Sequence, residues 1–294
     1  MILDVRVVSA ETILTEAVDA YQSALGERLL AAYALGSLAH GGFSALVSDI
    51  DLGLILSDPI SSRDPGTIQA VADAQKAKGS ELGERLSVFW GTPSTLRGEL
   101  QGGRFPALDR LDLLENGRLL AGSDARGGLP LPSAYELLIT GAEFALEYLA
   151  GAPRRGRARR LRGWARLALR RADAVQEVRC PETLLARGVR RVTKLVLFPV
   201  RFLFTAETGQ VSTNEAAVAH YLADREAPAA ALVAAALSWR TAPPTDEPAA
   251  TELLRDQILP LYLYYIDDHI TRLSSLGQDE LTRAFTRWRE RLVR

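Results

Sequence analysis

The first 130 residues mix the apolar spacing of helices with that of strands. Apolar residues at helical spacing predict a helix over residues 9–25, with Ser9 as its N-cap and Gly26 ending it. Short apolar runs closed by turn residues predict buried strands. The predicted strands cover residues 29–35, 51–56 and 85–90, and the predicted helices between them cover residues 37–40 and 66–84.

After the third predicted strand the pattern turns polar and then apolar again. Residues 94–107 are rich in Gly and polar residues, which indicates a loop. The apolar runs at 111–114 and 118–120 flank Asn116-Gly117, a dipeptide typical of a tight turn between two strands. We therefore expect a hairpin there, with Asp112 on its first strand.

Beyond residue 130 the apolar spacing is helical almost to the end of the chain. Residues 133–136 and 212–215 both have the sequence of a capping box, which marks the start of a helix. Helix breaks are predicted near residues 151–156, 181, 209, 228, 242–248 and 277. We predict an α+β chain: a domain with a small mixed sheet and flanking helices over residues 1–130, then an all-helical domain over residues 131–294.

Composition and charge fit an ordinary globular protein and exclude several other classes. Of the 294 residues, 47% are hydrophobic and 24% are charged, and the formal net charge is −1. With this net charge the protein has no overall positive potential to attract nucleic acid, so a nucleic-acid partner is not expected. A single cysteine, Cys180, excludes an intramolecular disulfide.

The sequence also lacks the marks of export and of membrane insertion. Its first six residues do not form a signal peptide, and no run of 18 apolar residues occurs. The longest apolar candidate, residues 195–204, is interrupted by Pro199 and Arg201. We expect a soluble cytoplasmic protein without a membrane partner.

Candidate chemistry concentrates between residues 34 and 56. A predicted strand ends in Gly36-Ser37, and Asp49-Ile50-Asp51 opens the next strand. Gly36 has no side chain, so a phosphate can approach its backbone closely. The Ser37 hydroxyl and the N–H groups at the start of the following helix are donors for phosphate oxygens.

Asp49 and Asp51 form the second half of this pattern. Strand residues two positions apart point to the same side, so both carboxylates are directed at one point while Ile50 faces the core. Adjacent carboxylates repel each other unless a cation lies between them, and Mg²⁺ prefers oxygen ligands. Each motif alone is common in turns and strand ends. Together, and at this spacing, they predict a site for magnesium and a nucleoside triphosphate.

This segment resembles the DNA polymerase β-like nucleotidyltransferase superfamily, whose signature is Gly-Ser or Gly-Gly, a spacer and Asp-x-Asp. Leu119-Leu-Ala-Gly-Ser-Asp124 is similar to the closing strand of aminoglycoside adenylyltransferases, especially the streptomycin/spectinomycin type. Residues 201–221 are similar to that family's Thr-Gly turn and the helix after it.

The resemblance implies a two-domain adenylyltransferase with ATP on the first domain and the acceptor in the cleft between the domains. Gly36, Ser37 and His40 would bind the nucleotide, while Asp49 and Asp51 would hold Mg²⁺ and act in catalysis. The implied reaction moves AMP from Mg-ATP onto a hydroxyl of a small molecule, with an aminoglycoside-like acceptor by analogy. A second interpretation of His40 is a histidine on the helix surface.

The sequence departs from the family pattern at a third carboxylate, which the resemblance places on a neighbouring strand. In residues 85–90 the expected position falls on Ser87 or a direct neighbour, and none of these is acidic. Glu84 and Asp112 are the candidates to replace it, and we take Asp112 as the third catalytic residue. A lysine expected near the second capping box is replaced by Asn214.

Three features leave other functions open. Without a third carboxylate the chain would be a nucleotide-binding regulator that transfers poorly. The arginine-dense residues 154–171 predict an amphipathic helix, whose charged face is either solvated or a docking surface for RNA or protein targets of nucleotidylation. Trp90, at a strand end, either stacks on a base or sugar or packs in the core.

Overall fold

The computed structural model describes residues 5–151 and 174–294. The chain divides into two units, Met1–Ser133 and Ala134–Arg294. The first unit mixes strands with helices, and the described residues of the second are helical with connecting turns, so the predicted fold class is confirmed. The arginine-dense helix expected within residues 154–171 lies outside the described residues.

A mixed sheet with four strands in the described residues forms the centre of the first unit. Its strands are β1 (Leu29–Leu35), β2 (Ile50–Leu56), β3 (Leu86–Gly91) and β4 (Arg118–Gly122). The strand order is β3-β2-β1-β4, with β1 antiparallel to both of its neighbours and β2 parallel to β3. The helices are α1 (Val5–Leu25), α2 (Ser37–His40), α3 (Asp64–Ala77), α4 (Pro93–Leu96) and α5 (Ala107–Asn116), with 3₁₀ turns at Gly26–Arg28 and Gly83–Arg85.

Helices cover both faces of this sheet. Even-numbered residues of β1, β2 and β3, such as Leu52, pack against α1 and α3. Odd-numbered residues, such as Tyr33, pack with Leu96 of α4 and Leu113 of α5. The strands of a sheet that is buried on both faces have nearly continuous apolar sequences. Apolar runs therefore predicted the ends of β1, β2 and β3 to within one residue.

The predicted hairpin at residues 111–120 is wrong. Residues Ala107–Asn116 form helix α5, and only the second of the two predicted strands exists, as β4. Ala107 and Leu111 are buried at the spacing of one helical turn, and the side chain of Asn116 donates a hydrogen bond back to Asp112 (3.1 Å). Asn116-Gly117 therefore ends a helix instead of turning a hairpin.

Several predicted helix boundaries also shift. Helix α1 begins at Val5, so Ser9 lies inside it, and α3 ends at Ala77 rather than near residue 84. The loop expected over residues 94–107 contains most of α4. In the second predicted capping box the cap is Thr213, whose hydroxyl accepts from the backbone N–H of Ala216 (3.1 Å).

The segment after β4 is fixed to β1 by a tyrosine. The Tyr33 hydroxyl donates to the Asp124 carboxylate (2.9 Å) and accepts from the backbone N–H of Ala125 (2.7 Å). Burial and the neighbouring Asp124 charge raise the pKa of Tyr33 to about 12, although the Ala125 N–H opposes the shift. The Gly-Ser-Asp sequence that supported the family resemblance thus closes the sheet.

The described part of the second unit is a bundle of helices around one central helix. Helix α8 (Val189–Thr208) packs against four others: α6 (Ala134–Tyr148), α9 (Asn214–Ala223), α10 (Ala230–Ser238) and α11 (Glu247–Ser275). No described helix has both the length and the apolar character needed to cross a membrane. The other helices among the described residues of this unit are α7 (Ala174–Arg179) and α12 (Asp279–Val293), with 3₁₀ turns at Pro181–Thr183 and Leu185–Arg187.

A proline inside α8 explains one contact between α8 and α11. Pro199 has no N–H, so the carbonyl of Leu195, one turn earlier, loses its helical donor. The hydroxyl of the fully buried Tyr262 in α11 donates to this carbonyl at 3.0 Å. A contact from another helix therefore replaces the missing hydrogen bond and allows α8 to continue through Pro199.

Tyr262→Phe should destabilise the protein by about 1–3 kcal/mol, because the buried Leu195 carbonyl is left without a donor. The loss should shrink when Pro199→Ala is also present, because the substituted alanine supplies the helical N–H. Tyr264→Phe is the matched control: the exposed Tyr264 hydroxyl lies 3.4 Å from Asp224, and we expect less than about 0.5 kcal/mol. Urea unfolding followed by circular dichroism measures the free energy of unfolding of Tyr262→Phe, Tyr264→Phe, Pro199→Ala and the double variant Tyr262→Phe/Pro199→Ala. An equal loss from Tyr262→Phe with Pro199 and with Ala at position 199 would contradict the explanation.

Candidate nucleotide site

The turn between β1 and α2 is built on Gly36. This residue has φ 60° and ψ −150°, a conformation that only glycine adopts readily. Its carbonyl accepts hydrogen bonds from the N–H groups of Ala39 (2.9 Å) and His40 (3.1 Å), which begin helix α2. The predicted strand end and short helix are therefore both present, and glycine is required between them.

The carboxylate of Asp51 lies directly against Gly36. Pairing of β1 with β2 places Leu35 opposite Asp51. A β-carbon at Gly36 would lie 2.5 Å from Oδ2 of Asp51, well inside van der Waals contact. Gly36 is thus needed for its backbone angles and because the carboxylate occupies the space of a side chain.

Asp49 and Asp51 flank the fully buried Ile50, and both are partly exposed. Ile50 packs with α1 and α3, so Asp51 projects from the opposite face of the sheet. The loop before Asp49 is anchored by Arg85, which donates to the carbonyl of Ala45 (2.8 Å). The loop also contains a short helical turn, in which the Ser48 N–H donates to the Ser44 carbonyl (2.8 Å).

Ser87 stands where the resemblance placed a third carboxylate. The parallel register of β2 and β3 pairs Asp51 directly with Ser87, and both point away from α1 and α3. Glu84 lies in the 3₁₀ turn before β3 and is exposed. Among the described residues, no group of three acidic, histidine or cysteine side chains is arranged to hold a metal ion.

Asp112 reaches the site from α5, and not from a strand as the sequence predicted. Its side chain is buried, and Oδ2 accepts a 2.6 Å hydrogen bond from the backbone N–H of Gly36. Oδ1 accepts from Asn116. Burial and the charge of Asp112 raise the pKa of the nearby Glu115. The sequence identified Asp112 as a candidate, but its contact with Gly36, 76 residues away, has no local signal.

Helix α2 carries the remaining candidates, Ser37 and His40. The hydroxyl and backbone N–H of Ser37 and the N–H of Leu38 donate no hydrogen bond to any described residue. His40 is partly buried, and its Nδ1 is a buried atom without a hydrogen-bond partner in the described chain. Both interpretations of His40, as a nucleotide contact and as a histidine on the helix surface, stay predictions. Trp90, in contrast, packs with the α1 and α3 core, on the face opposite Asp51.

Comparison with known proteins shows similarity at the level of the fold. No protein-family model matches this chain, and no curated protein sequence matches it. Among solved structures, it is similar to a spectinomycin adenyltransferase from Enterococcus faecialis determined with ATP and spectinomycin. The TM-score is 0.52 at 11% sequence identity, over 84% of this chain and 98% of that one. The shared property is the fold. The resemblance to aminoglycoside adenylyltransferases that the sequence predicted is thereby confirmed at that level.

Gly36→Ala should destabilise the first unit through two effects, the positive φ and the contact with Asp51. Gly26→Ala is the matched control: Gly26 has φ +53° and nothing within 4 Å of an added β-carbon, so it reports a backbone cost of about 1–2 kcal/mol. We expect a clearly larger loss for Gly36→Ala. In an Asp51→Ala background that excess should fall, because the obstructing carboxylate is gone. Urea unfolding measures the losses. The backbone angles of Gly36 contribute to the excess in both backgrounds, so an excess that is unchanged by Asp51→Ala would contradict the steric explanation.

Proposed function

We propose that the first unit binds Mg-ATP and that the protein transfers AMP from it to a hydroxyl group of a small molecule. The observation that carries this proposal is the contact of the Asp51 carboxylate with Gly36, next to the unused donors of Ser37. Carboxylates for a cation and donors for phosphate oxygens then lie side by side. This is the pairing that a magnesium-bound triphosphate requires.

Phosphate oxygens would be held by the turn that follows β1. The N–H groups of Ser37 and Leu38 and the Ser37 hydroxyl are the available donors, whereas the N–H of Gly36 is already bonded to Asp112. His40, one helical turn later, would contribute an N–H of its ring. The glycine leaves room for the phosphates to approach the backbone.

Asp49 and Asp51 would hold the magnesium ion. The residues fit this ion, because Mg²⁺ is commonly held by one or two carboxylates together with substrate phosphates and water. When bound, the ion neutralises phosphate charge and polarises the α-phosphate. The acceptor hydroxyl would then attack in line with the departing pyrophosphate.

The acceptor is assigned by analogy. The similar adenyltransferase was determined with spectinomycin, which supports an aminoglycoside-like small molecule for this chain as well. We propose that the helical unit, residues 134–294, contributes the acceptor site. Nothing in the described residues favours a protein or RNA target over a small molecule.

A nucleotide-binding regulator is the second candidate, and Ser87 favours it. Serine is a poor proton acceptor, so β3 provides no base beside Asp51 for the acceptor hydroxyl. General-base catalysis typically contributes about 10²–10⁴-fold to a rate. Binding of Mg-ATP does not depend on this group, and it would survive in a protein that transfers AMP slowly.

Asp51→Asn should weaken Mg-ATP binding at least tenfold, equivalent to about 1.4 kcal/mol, because the amide removes a charged metal ligand of the same shape. Asp73→Asn, on the exposed surface of α3, is the control for loss of one charge and should bind as the wild type does. Calorimetric titration with ATP, with and without magnesium, measures both. An unchanged magnesium-dependent affinity in Asp51→Asn would exclude the proposed metal site.

Ser87→Asp should raise the rate of AMP transfer by about 10²-fold if the missing base limits the reaction. The new carboxylate would stand beside Asp51 in the parallel register. Ser87→Asn is the control, because the side chain of asparagine has nearly the same shape as that of aspartate but carries no charge. Release of pyrophosphate in the presence of an aminocyclitol acceptor is the measurement. Equal rates for Ser87→Asp and Ser87→Asn would show that the base comes from elsewhere.

A further inference from the structure

Asp112 is a buried carboxylate whose two oxygens both accept hydrogen bonds from the protein. Oδ2 binds the backbone N–H of Gly36 at 2.6 Å, and Oδ1 binds the side-chain amide of Asn116 at 3.1 Å. Only 6% of Asp112 is exposed. Burying a carboxylate is costly unless such donors compensate it, so the 2.6 Å bond to a backbone amide is a strong structural restraint.

The backbone amide that Asp112 binds controls the orientation of the next segment. Paired residues of β1 and β2 end at Leu35 and Asp51, so Gly36 lies just past the ladder. A hydrogen bond from the Gly36 N–H fixes the Leu35–Gly36 peptide plane. On the other side, the Gly36 carbonyl accepts hydrogen bonds from the N–H groups of Ala39 and His40 in α2. The hydrogen bond to Asp112 on one side and those from α2 on the other therefore fix the orientation of the backbone that leads into Ser37.

We propose that Asp112 is a positioning residue, which holds Gly36 so that Ser37 and Leu38 present their donors to the triphosphate. Asp112 does not take the place of the missing third carboxylate. Both of its oxygens already bind protein donors, and with Asp49 and Asp51 it does not form a metal-binding group of three. The ligand part of this proposal depends on the proposed binding of Mg-ATP.

Two substitutions separate positioning from proton transfer and from metal binding. Asp112→Asn keeps the shape and one acceptor oxygen for Gly36, and the amide of Asn116 can turn to match the new group. Asp112→Ala removes the acceptor. A positioning residue tolerates Asn much better than Ala, whereas a base or a metal ligand fails equally in both.

The first readout needs no nucleotide. In protein labelled with ¹⁵N-glycine, the Gly36 amide proton should be shifted downfield and protected from solvent exchange, because of its short bond to a carboxylate. The protection should fall at least tenfold in Asp112→Ala and be largely kept in Asp112→Asn. The Gly26 amide, at the other end of β1, is the internal control and should not change. An unchanged Gly36 amide in Asp112→Ala would overturn the proposal, whether or not the protein binds ATP.

The second readout is the affinity for Mg-ATP, measured by calorimetry at a temperature where circular dichroism shows each variant to be folded. We expect affinity to fall at least tenfold in Asp112→Ala and less than threefold in Asp112→Asn. A lower unfolding temperature with unchanged affinity would indicate a purely structural role and overturn the proposal. Unchanged affinity with transfer lost equally in both variants would identify Asp112 as the base instead.

These outcomes remain distinguishable from failure of the proposed function. If the wild-type protein does not bind Mg-ATP, the proposed function fails, and the Gly36 amide alone decides whether Asp112 holds the turn. If Asp112→Ala does not fold, Asp112→Asn is decisive. Retained affinity and transfer in that variant support positioning, and complete loss of transfer excludes it.

Discussion

The approach of the Asp51 carboxylate to the α-carbon of Gly36 constrains the whole candidate site. A β-carbon at Gly36 would come within 2.5 Å of that carboxylate, so any other residue here would force the Asp51 carboxylate out of its present position. The same residue needs a positive φ to start α2. The turn and the carboxylate are therefore linked at Gly36: a side chain there would meet Asp51 and would also strain the backbone that leads to Ser37.

Much of the first unit follows from its sequence because local pattern and final environment agree there. Strands covered by helices on both faces consist of apolar runs, and β1, β2 and β3 were predicted from such runs. The hairpin at residues 111–120 failed for the opposite reason. Asn116-Gly117 is a strong short-range turn signal, yet the packing of α5 on the sheet overrode it. The contact between Asp112 and Gly36 spans 76 residues, and no local pattern could reveal it.

The helical unit shows how tertiary contacts can override a local helix breaker. Pro199 interrupts the hydrogen-bond ladder of α8, and a proline inside a helix commonly kinks or breaks it. No helix break was predicted at this residue, because the helical spacing of apolar residues continues beyond it. The Tyr262 hydroxyl supplies the donor that the helix lacks, and burial raises the pKa of this hydroxyl well above its usual value. Neither the acceptor nor its distant partner can be recognised until α8 and α11 are seen side by side.

In the proposed function, nucleotide binding and removal of the acceptor's proton would depend on different strands, and the division falls between β2 and β3. Gly36, Ser37, Asp49 and Asp51, the proposed contacts of a magnesium-bound triphosphate, lie on the β1–β2 side. The proton of an acceptor hydroxyl needs a different group, and the position beside Asp51 on β3 is a serine. A hydroxyl is ionised far above neutral pH, so a carboxylate there would affect the rate of transfer much more than the affinity for the nucleotide. The two proposed functions, enzyme and regulator, would thus use the same binding site and differ in whether a proton acceptor reaches the point next to Asp51.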